Sequence, residues 1–294
     1  MFPKPIDHRI LRHPARLLGL LCLATVSGCS TLGSGLVQAD LPPDAPAVDT
    51  ILADLAANDT QMATFSATGT FSLKAPELKS IEQFRQSSVL FQRPDALNVV
   101  GRRYAKAVFE LTCAHPAFLI GFPTEREFLY RPEGATLRNQ ELAISPADLA
   151  REMFFPEVWT EMPPERVRML SYDAATQRAQ LAVYEKFRSR TPQRLLDVEG
   201  GTHWVIVRNE RLDASGNTLA VTERTDYREE QGVRYAAAIT THFPQQDAFM
   251  TFTMKRITLN EPVKAAEFDV HAKAAALERS GWAPINPNET GYEQ

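Results

Sequence analysis

The chain has 294 residues, with 32 Lys and Arg against 36 Asp and Glu and a formal net charge of −4 at pH 7. Hydrophobic residues make up 44% of it, which is enough for a substantial core. The acidic balance argues against nucleic-acid binding, because neutralising phosphates requires clustered Lys and Arg.

The first 28 residues have the pattern of a bacterial export signal. Four basic residues precede a short apolar stretch that starts at Leu17, and small residues follow it. The apolar stretch is much shorter than the roughly 20 residues that a membrane-spanning helix needs. Residues 1–28 are therefore predicted to be a lipoprotein signal peptide that is removed from the mature chain.

Cys29 closes this segment, and Val26-Ser27-Gly28-Cys29 resembles a lipobox, the signal for lipoprotein processing. The resemblance implies cleavage before Cys29, a diacylglyceryl thioether on its sulfur and an acylated amino group. Two or more acyl chains, at about 0.8 kcal/mol per buried CH₂, make a stable membrane anchor. The residue after this cysteine is Ser30 rather than Asp. This resembles the Gram-negative sorting pattern of lipoproteins that reach the outer membrane and face the periplasm. The alternative is an ordinary secretory signal with a chance cysteine.

Cysteine usage leaves no room for a disulfide in the mature chain. Cys22 leaves with the signal and Cys29 carries the lipid, so Cys113 alone remains. Cys113 lies in an alternating apolar run and is predicted to be a buried small hydrophobic residue rather than a reactive thiol.

The mature chain divides into a tether, one domain and a tail. Residues 29–47 are rich in Ser, Gly, Ala, Asp and Pro, which predicts a flexible lipidated tether. Residues 48–282 carry the periodic patterns of a folded domain. Residues 283–294 are predicted to be a disordered tail.

The domain begins with a helix and continues mainly as strands. Helical spacing of apolar residues predicts an amphipathic helix over 49–63. Residues 65–73 then alternate cleanly between apolar and small polar side chains, as a half-buried strand does. Further strands, separated by turn residues, are predicted at 86–92, 96–103, 106–113, 117–122, 126–130, 166–172, 179–187, 203–210, 218–227, 233–243 and 248–259.

Two more helices complete the prediction. Ser145 and Pro146 are typical of a helix start, and Pro156 ends the apolar stripe that includes Met153 and Phe154. The last helix is predicted over 270–279. Parallel βαβ units would need a helix between successive strands, and the pattern lacks them. The expected fold class is mainly β (α+β): an antiparallel, strongly curved sheet or unclosed β-barrel whose helices cover its mouth or inner face.

Three segments, in this order, resemble the LolA/LolB-like lipoprotein-carrier superfamily, including its outer-membrane lipoprotein branches. Residues 65–71 look like its first strand, residues 91–99 look like its hairpin around Arg-Pro-Asp, and residues 257–262 look like its closing strand. The resemblance spans about residues 49–270 and implies an unclosed barrel with a helical lid over an apolar cavity that holds acyl chains. The chain is longer than LolB-type receptors, and Leu78 is the candidate for LolB's protruding apolar loop residue.

Catalytic motifs are missing from the sequence. It contains no Gly-x-Ser-x-Gly elbow, no phosphate-binding glycine loop and no His-Glu-x-x-His pair. We therefore expect no metal, no cofactor and no enzymatic activity; an envelope hydrolase with an unrecognised site is the weakest alternative. His203 is interpreted as an ordinary edge histidine. One mixed-charge run is interpreted as a solvated hairpin face: Glu223, Arg224, Asp226, Arg228, Glu229 and Glu230.

Apolar side chains remain as the candidate ligand site. A single curved sheet with few helices has more inner apolar area than the helices can cover, and a cavity for lipid chains would account for the surplus. For any one residue, a plain core position is the alternative. The candidates are Phe65, Phe71, Leu73, Phe91, Leu97, Val99, Phe118, Ile120, Met153 and Phe154.

Two functions stay open at this point. The sequence predicts an outer-membrane lipoprotein that binds a lipid, or the acyl chains of another lipoprotein, in envelope transport or assembly. The alternative is a non-enzymatic scaffold or signalling lipoprotein that docks another envelope protein through exposed strand edges.

Overall fold

A computed structural model of the chain describes residues 41–74, 80–114, 116–133, 153, 163–186 and 189–285. Cys29 with the signal, Leu78, Phe154 with most of the predicted middle helix, and the last nine residues lie outside these ranges. The helices of the described part are α1 (Val48–Thr60) and α2 (Val270–Arg279). Its strands are β1 (Thr64–Lys74), β2 (Glu82–Gln92), β3 (Ala96–Arg103), β4 (Lys106–Ala114), β5 (Ala117–Phe122), β6 (Glu127–Arg131), β7 (Val167–Asp173), β8 (Arg178–Val183), β9 (Arg194–Glu199), β10 (Val205–Leu212), β11 (Thr218–Glu230), β12 (Val233–Phe243), β13 (Ala248–Leu259) and β14 (Ala283–Pro284).

These strands form one sheet in the order β14-β6-β5-β4-β3-β2-β1-β13-β12-β11-β10-β9-β8-β7. Successive strands pair as antiparallel neighbours in two meanders, β1–β6 and β7–β13. The antiparallel pairing of β1 with β13 joins the meanders, and β14 adds to β6 in parallel. Because β7 and β14 lie at opposite edges, the sheet does not close. The predicted fold class, a mainly antiparallel unclosed sheet with covering helices, is confirmed.

Alternation along β1 explains which face of the sheet is buried. Phe65, Ala67 and Phe71 point to one face, where they are buried, and the small polar residues between them point to the other. We call the first the inner face. Cross-strand partners continue it, because Phe65 lies opposite Phe91, and Phe91 lies opposite Leu97.

Two β-bulges lie opposite the segment around Gly69, one in β13 and one in β2, and shift the alternation of those two strands. The register of β1 with β13 skips Lys255, and its register with β2 skips Gln86, which has a φ of +63°. A bulge inserts an extra residue, so the strand's faces exchange beyond it. Phe84 and Val89 consequently both join the inner-face core, although five positions separate them.

The backbones of β1 and β13 come very close at Gly69. A Cβ atom built there would lie 2.1 Å from the carbonyl oxygen of Thr253, which belongs to the neighbouring strand. No side chain fits without separating the two strands, so this strand position requires glycine.

Helix α2 packs on the opposite, outer face. Val270 and Ala274 contact Ala117, Leu119 and Phe128, which are buried beneath the helix. The residues that alternate with Ala117 and Leu119 along β5 belong to the inner-face core. The expectation that the helices cover the mouth or inner face is therefore wrong for α2. The reason is that β5 is apolar on both faces and needs cover on each.

Polar contacts also hold α2 in place. Lys273 Nζ donates to Glu110 Oε1 at 2.7 Å and to Thr112 Oγ1 at 3.1 Å. Asn98 Nδ2 donates to the same Glu110 oxygen at 2.9 Å. Burial raises the pKa of Glu110, but the hydrogen bond and charge of Lys273, helped by Asn98 and Arg102, outweigh it and lower the pKa overall.

Because the pKa of Glu110 is lowered in the folded state, the free energy of unfolding should fall as the solution becomes more acidic. The ionised pair stabilises the fold fully above the ordinary glutamate pKa, and its contribution is lost as the pH falls through the lower folded-state pKa. At pH 7, Lys273→Met should lower the free energy of unfolding by about 0.5–1 kcal/mol, since the pair is partly exposed. Near pH 3 the difference from wild type should shrink. Urea unfolding at pH 7 and at pH 3 measures the difference in free energy of unfolding. Lys264→Met, at an exposed lysine, is the control. An equal loss for Lys273→Met at the two pH values would contradict the prediction.

Candidate functional site

The inner face carries most of the residues that the sequence predicts for ligand binding. Eight of them are buried in one cluster, and a ninth, Leu73, is partly buried against it. Phe91 is 0% exposed at its centre, with the Phe65 ring 5.7 Å away. The structure therefore brings together Phe65, Phe71, Leu73, Phe91, Leu97, Val99, Phe118, Ile120 and Met153. Phe154 and the lipid-attachment residue Cys29 lie outside the described residues.

Tight packing gives most of these side chains core positions in this state of the protein. Cys113 belongs to the same cluster, which confirms its predicted burial. Of the nine candidates, only Phe65 lines the cleft described next. Ligand contact by any of the nine stays a prediction.

A cleft opens on the inner face where α1 crosses β10–β13. Its empty volume is about 650 Å³, which includes space open to solvent, and water-sized molecules can occupy about 70 Å³ of it. That is room for a handful of waters, at about 10–15 Å³ each on this measure. A long ligand must therefore displace α1 or neighbouring side chains. The lining includes Leu55, Asn58, Asp59, Met62, Phe65, Trp204, Ile206, Arg224, Tyr227, Val233, Arg234, Ile239, Met254 and Ile257.

Apolar burial places α1 over this part of the sheet. Ile51, Leu52 and Leu55 are buried against the inner face of β7–β10, where Leu181 and Leu196 lie beneath them. The helix starts at Val48 without a side-chain N-cap. Packing, rather than capping, is therefore what fixes α1.

Polar contacts along α1 add to this packing. Asn58 Nδ2 donates to the Arg234 carbonyl at 2.9 Å, and the Arg234 N–H donates to Asn58 Oδ1 at 2.8 Å. Asp54 accepts a hydrogen bond from the Trp204 N–H and lies 2.9 Å from His203 Nδ1. His203 is thus a hydrogen-bonded histidine near the start of β10, as the sequence suggested.

Arg234 organises one wall of the cleft. Its Nη1 donates to the carbonyl oxygens of Glu199, Gly200 and His203, and its Nη2 donates to Glu199 Oε1 at 2.8 Å. Burial raises the pKa of Glu199, but hydrogen bonds from Arg178 and Arg234, and then their charges, outweigh it and lower the pKa overall. Glu199 therefore stays ionised and holds Arg234 against the loop before β10.

Tyr227 lines the cleft beside Arg234. The Arg234 guanidinium carbon stands 5.3 Å from its ring centroid. Burial raises the pKa of Tyr227 far above the ordinary value, so the phenol stays neutral. Its hydroxyl donates to the Ile206 carbonyl at 2.5 Å.

Arg224 is the deepest charge in the cleft. It is 6% exposed, lies opposite Ile239 on β12, and donates from Nη2 to the Met153 carbonyl at 3.3 Å. The interpretation of this run as a solvated hairpin face is therefore wrong for Arg224. It holds for the exposed Glu223, Asp226, Arg228, Glu229 and Glu230.

The backbone at Asp226 explains why simple alternation along the strand predicts the wrong face for some residues near Arg224. Its φ of +53° is in the left-handed region, which Asp tolerates better than most residues. The strand's faces exchange there, so Arg224 and Tyr227 both line the cleft although three positions separate them.

The described residues carry neither a metal-binding cluster nor a membrane-spanning helix. Among those residues, no group of three or more His, Cys, Asp or Glu side chains could hold a metal ion. Within the same ranges, neither helix has the length and apolarity to cross a bilayer.

Solved structures with similar folds were found, whereas no protein-family model and no curated protein matches the chain. A DUF1329 family protein from Desulfovibrio piger has a TM-score of 0.51 at 9% identity, covering 78% of this chain and 99% of that one. A domain from Vibrio parahaemolyticus, described as an outer-membrane lipoprotein-sorting protein, has a TM-score of 0.50 at 10% identity and coverages of 79% and 100%. A LolA superfamily protein from Nitrosomonas europaea has a TM-score of 0.49 at 14% identity, with coverages of 74% and 96%.

The first two likenesses extend over nearly the whole of the other chains and over most of this one. At these identities they concern the fold alone. They agree with the single unclosed sheet described above and with the order of motifs in the sequence. The chain has a LolA/LolB-like fold.

Proposed function

We propose that this protein is a non-enzymatic, lipid-anchored outer-membrane lipoprotein of a Gram-negative bacterium. It faces the periplasm and binds a hydrophobic ligand on the inner face of its sheet. The ligand is a lipid or the acyl chains of another lipoprotein, and the role is envelope transport or assembly. Cys29 supplies the membrane anchor.

One observation carries this proposal. The apolar inner face is continuous with a solvent-open cleft beneath a single helix, α1. Phe65 belongs both to the buried core and to the cleft lining. A ligand that displaces α1 would therefore meet further apolar surface, at about 25 cal/mol for each Å² removed from water. The likeness to the Vibrio lipoprotein-sorting domain supports the proposal through the fold.

Native mass spectrometry of protein exported to the periplasm and gently purified tests the proposal. A bound mass of lipid size is expected on the wild type. Ile257→Glu places a carboxylate in the apolar lining of the cleft and should remove most of that mass, because burying an unpaired charge is costly.

Ile81→Glu is the matched control, since Ile81 is 51% exposed and is not part of the cleft. It should keep the bound mass. A wild type that folds but carries no lipid would sink the carrier proposal. Crosslinking to an envelope protein, without bound lipid, would then favour the scaffold.

A further inference from the structure

The outer face of β2, β1 and β13 is covered by neither described helix, since α1 packs on the inner face and α2 packs on β5 and β6. Alternation along β1 makes this outer face polar. Thr68 and Thr70 point outward between buried neighbours, and Thr68 and Thr253 are exposed. The middle of the sheet therefore presents an open layer of hydroxyl groups.

The charged residues that these three strands add to this layer are all cations. Among the described positions they are Lys74, Arg85, Lys255 and Arg256, of which the last three are exposed. Lys74 forms an ion pair with Asp247. The whole chain has a formal net charge of −4 at pH 7, so a cluster of positive charge is not what its composition predicts. We call Arg85, Lys255 and Arg256, with the hydroxyl groups between them, the outer basic face.

The two β-bulges described above bring these cations to one level of the sheet. Thr70 lies opposite Arg85 on β2, and Thr68, the next outward residue of β1, lies opposite Arg256 on β13. Lys255 is the extra residue of the bulge in β13. Neighbouring strands stand about 4.8 Å apart, so Arg85 and Arg256 flank β1 within the reach of their long side chains. Bulges commonly redirect side chains in this way at functional sites.

Arg102 extends the outer basic face onto β3. Its Nη1 donates to Ser88 Oγ at 2.8 Å, and Ser88 lies opposite Thr68. The Glu110 carboxylate on β4 faces the same side, but Lys273 Nζ already bonds it at 2.7 Å. Glu110 is therefore paired within the protein and does not neutralise the exposed cations.

An exposed aromatic ring lies beside this face, in the turn between β3 and β4. Tyr104 is 92% exposed, and Tyr104 and Ala105 have φ angles of +51° and +64°. Two-residue turns with positive φ favour Asn and Gly, so neither burial nor turn geometry explains a tyrosine here. Tyrosine is enriched at the head-group level of bilayers, because its ring is apolar and its hydroxyl is polar.

We propose that the outer basic face contacts the anionic head groups of a lipid bilayer. This contact goes beyond the proposed function and rests on its lipid anchor, which holds the domain next to a membrane. Guanidinium groups and hydroxyls both donate hydrogen bonds to phosphate oxygens. Each Lys or Arg near an anionic surface strengthens such a contact about fivefold, so several cations together hold the sheet against the bilayer.

Arginine modification of the lipidated protein in vesicles tests this inference. Phenylglyoxal modifies accessible arginines, and peptide mass spectrometry reads the rate at each site. In vesicles that contain phosphatidylglycerol, Arg85 and Arg256 should react about fivefold more slowly, or slower still, than in phosphatidylcholine alone. Arg168, exposed on the edge strand β7, should react equally in both. Salt at about 1 M, where the Debye length is about 3 Å, should abolish the protection.

Variants assign the protection to this face. Arg256→Gln should weaken the contact about fivefold and so remove most of the protection of Arg85, whereas Arg256→Lys, which keeps the charge, should retain most of it. Arg168→Gln is the matched control and should leave the protection of Arg85 unchanged. Circular dichroism checks that each variant folds, and the wild-type comparison of the two kinds of vesicle needs no variant.

The outcomes separate the two proposals. Protein that does not float with the vesicles overturns the lipid anchor of the proposed function. Anchored protein whose Arg85 and Arg256 react equally in both kinds of vesicle overturns the membrane contact alone. Protection that survives high salt or Arg256→Gln overturns the role of these cations. Protection by soluble polyphosphate but not by phosphatidylglycerol overturns the bilayer as the partner.

Discussion

Gly69→Ala is expected to lower the free energy of unfolding by about 2–4 kcal/mol, near the upper end for a single substitution. The added methyl group would lie 2.1 Å from the carbonyl oxygen of Thr253. Backbone cannot rotate away as a side chain does, so β1 and β13 would have to separate. That pairing is the one that joins the two meanders, and its disturbance weakens the whole sheet. Urea unfolding followed by circular dichroism measures the loss.

Gly121→Ala is the control for this substitution. Gly121 also lies inside a strand, β5, but a Cβ atom there would be 3.5 Å from the Trp282 ring, an ordinary contact. Its effect should stay within about 1 kcal/mol. Equal losses at the two glycines would mean that the close approach at Gly69 is not what limits stability.

Phe91→Ala is expected to cost about 3–5 kcal/mol of stability, because it leaves a cavity in the most buried part of the inner-face core. Phe91 is 0% exposed and contacts the ring of Phe65 across the strand pair. The measurement also distinguishes the two interpretations of this residue. If Phe91 is a core residue, the substitution lowers the free energy of unfolding of the ligand-free protein by the full amount. If Phe91 instead contacts a ligand from a loosely packed surface, the loss should be below about 1 kcal/mol.

Tyr104→Ala provides the comparison, since Tyr104 is 92% exposed in the turn between β3 and β4. Removing its ring should change stability by less than about 0.5 kcal/mol. If Phe91→Ala were no worse than Tyr104→Ala, the inner face around Phe91 would not be a packed core.

Much of the sheet could be predicted because alternation is a local signal. Residues 65–73 fall within β1, residues 96–103 coincide with β3, and the helix over 270–279 coincides with α2. Prediction failed where the chain departs from regular geometry. The bulge at Gln86 breaks the alternation, so the strand predicted from residue 86 begins at Glu82. Strand β9 was missed because it has only six residues and Leu195 interrupts the alternation that Leu196 and Val198 begin.

The candidate site was predicted only in part. Phe65 and its apolar neighbours follow from alternation, and they do share one buried face. The burial of Arg224 could not be predicted from the sequence. The strand's two faces exchange at Asp226, and the pattern of charged residues does not show that exchange. Asn58 and Trp204 were missed for another reason. Asn58 on α1 bonds Arg234, and Trp204 in the loop before β10 bonds Asp54 on α1. These partners lie far apart in the sequence, and a local sequence pattern does not predict such contacts.

The join between the two meanders sets the order in which this sheet can be completed. Thr64, at the start of β1, hydrogen-bonds Glu261, which is 197 residues further along the chain. All the other described antiparallel pairs are between consecutive strands, so each meander can form as its residues emerge. One edge of β1 must nevertheless stay open until β13 arrives, and pairing over such a separation is slow. Until then, this open edge beside an apolar face exposes the incomplete sheet to aggregation.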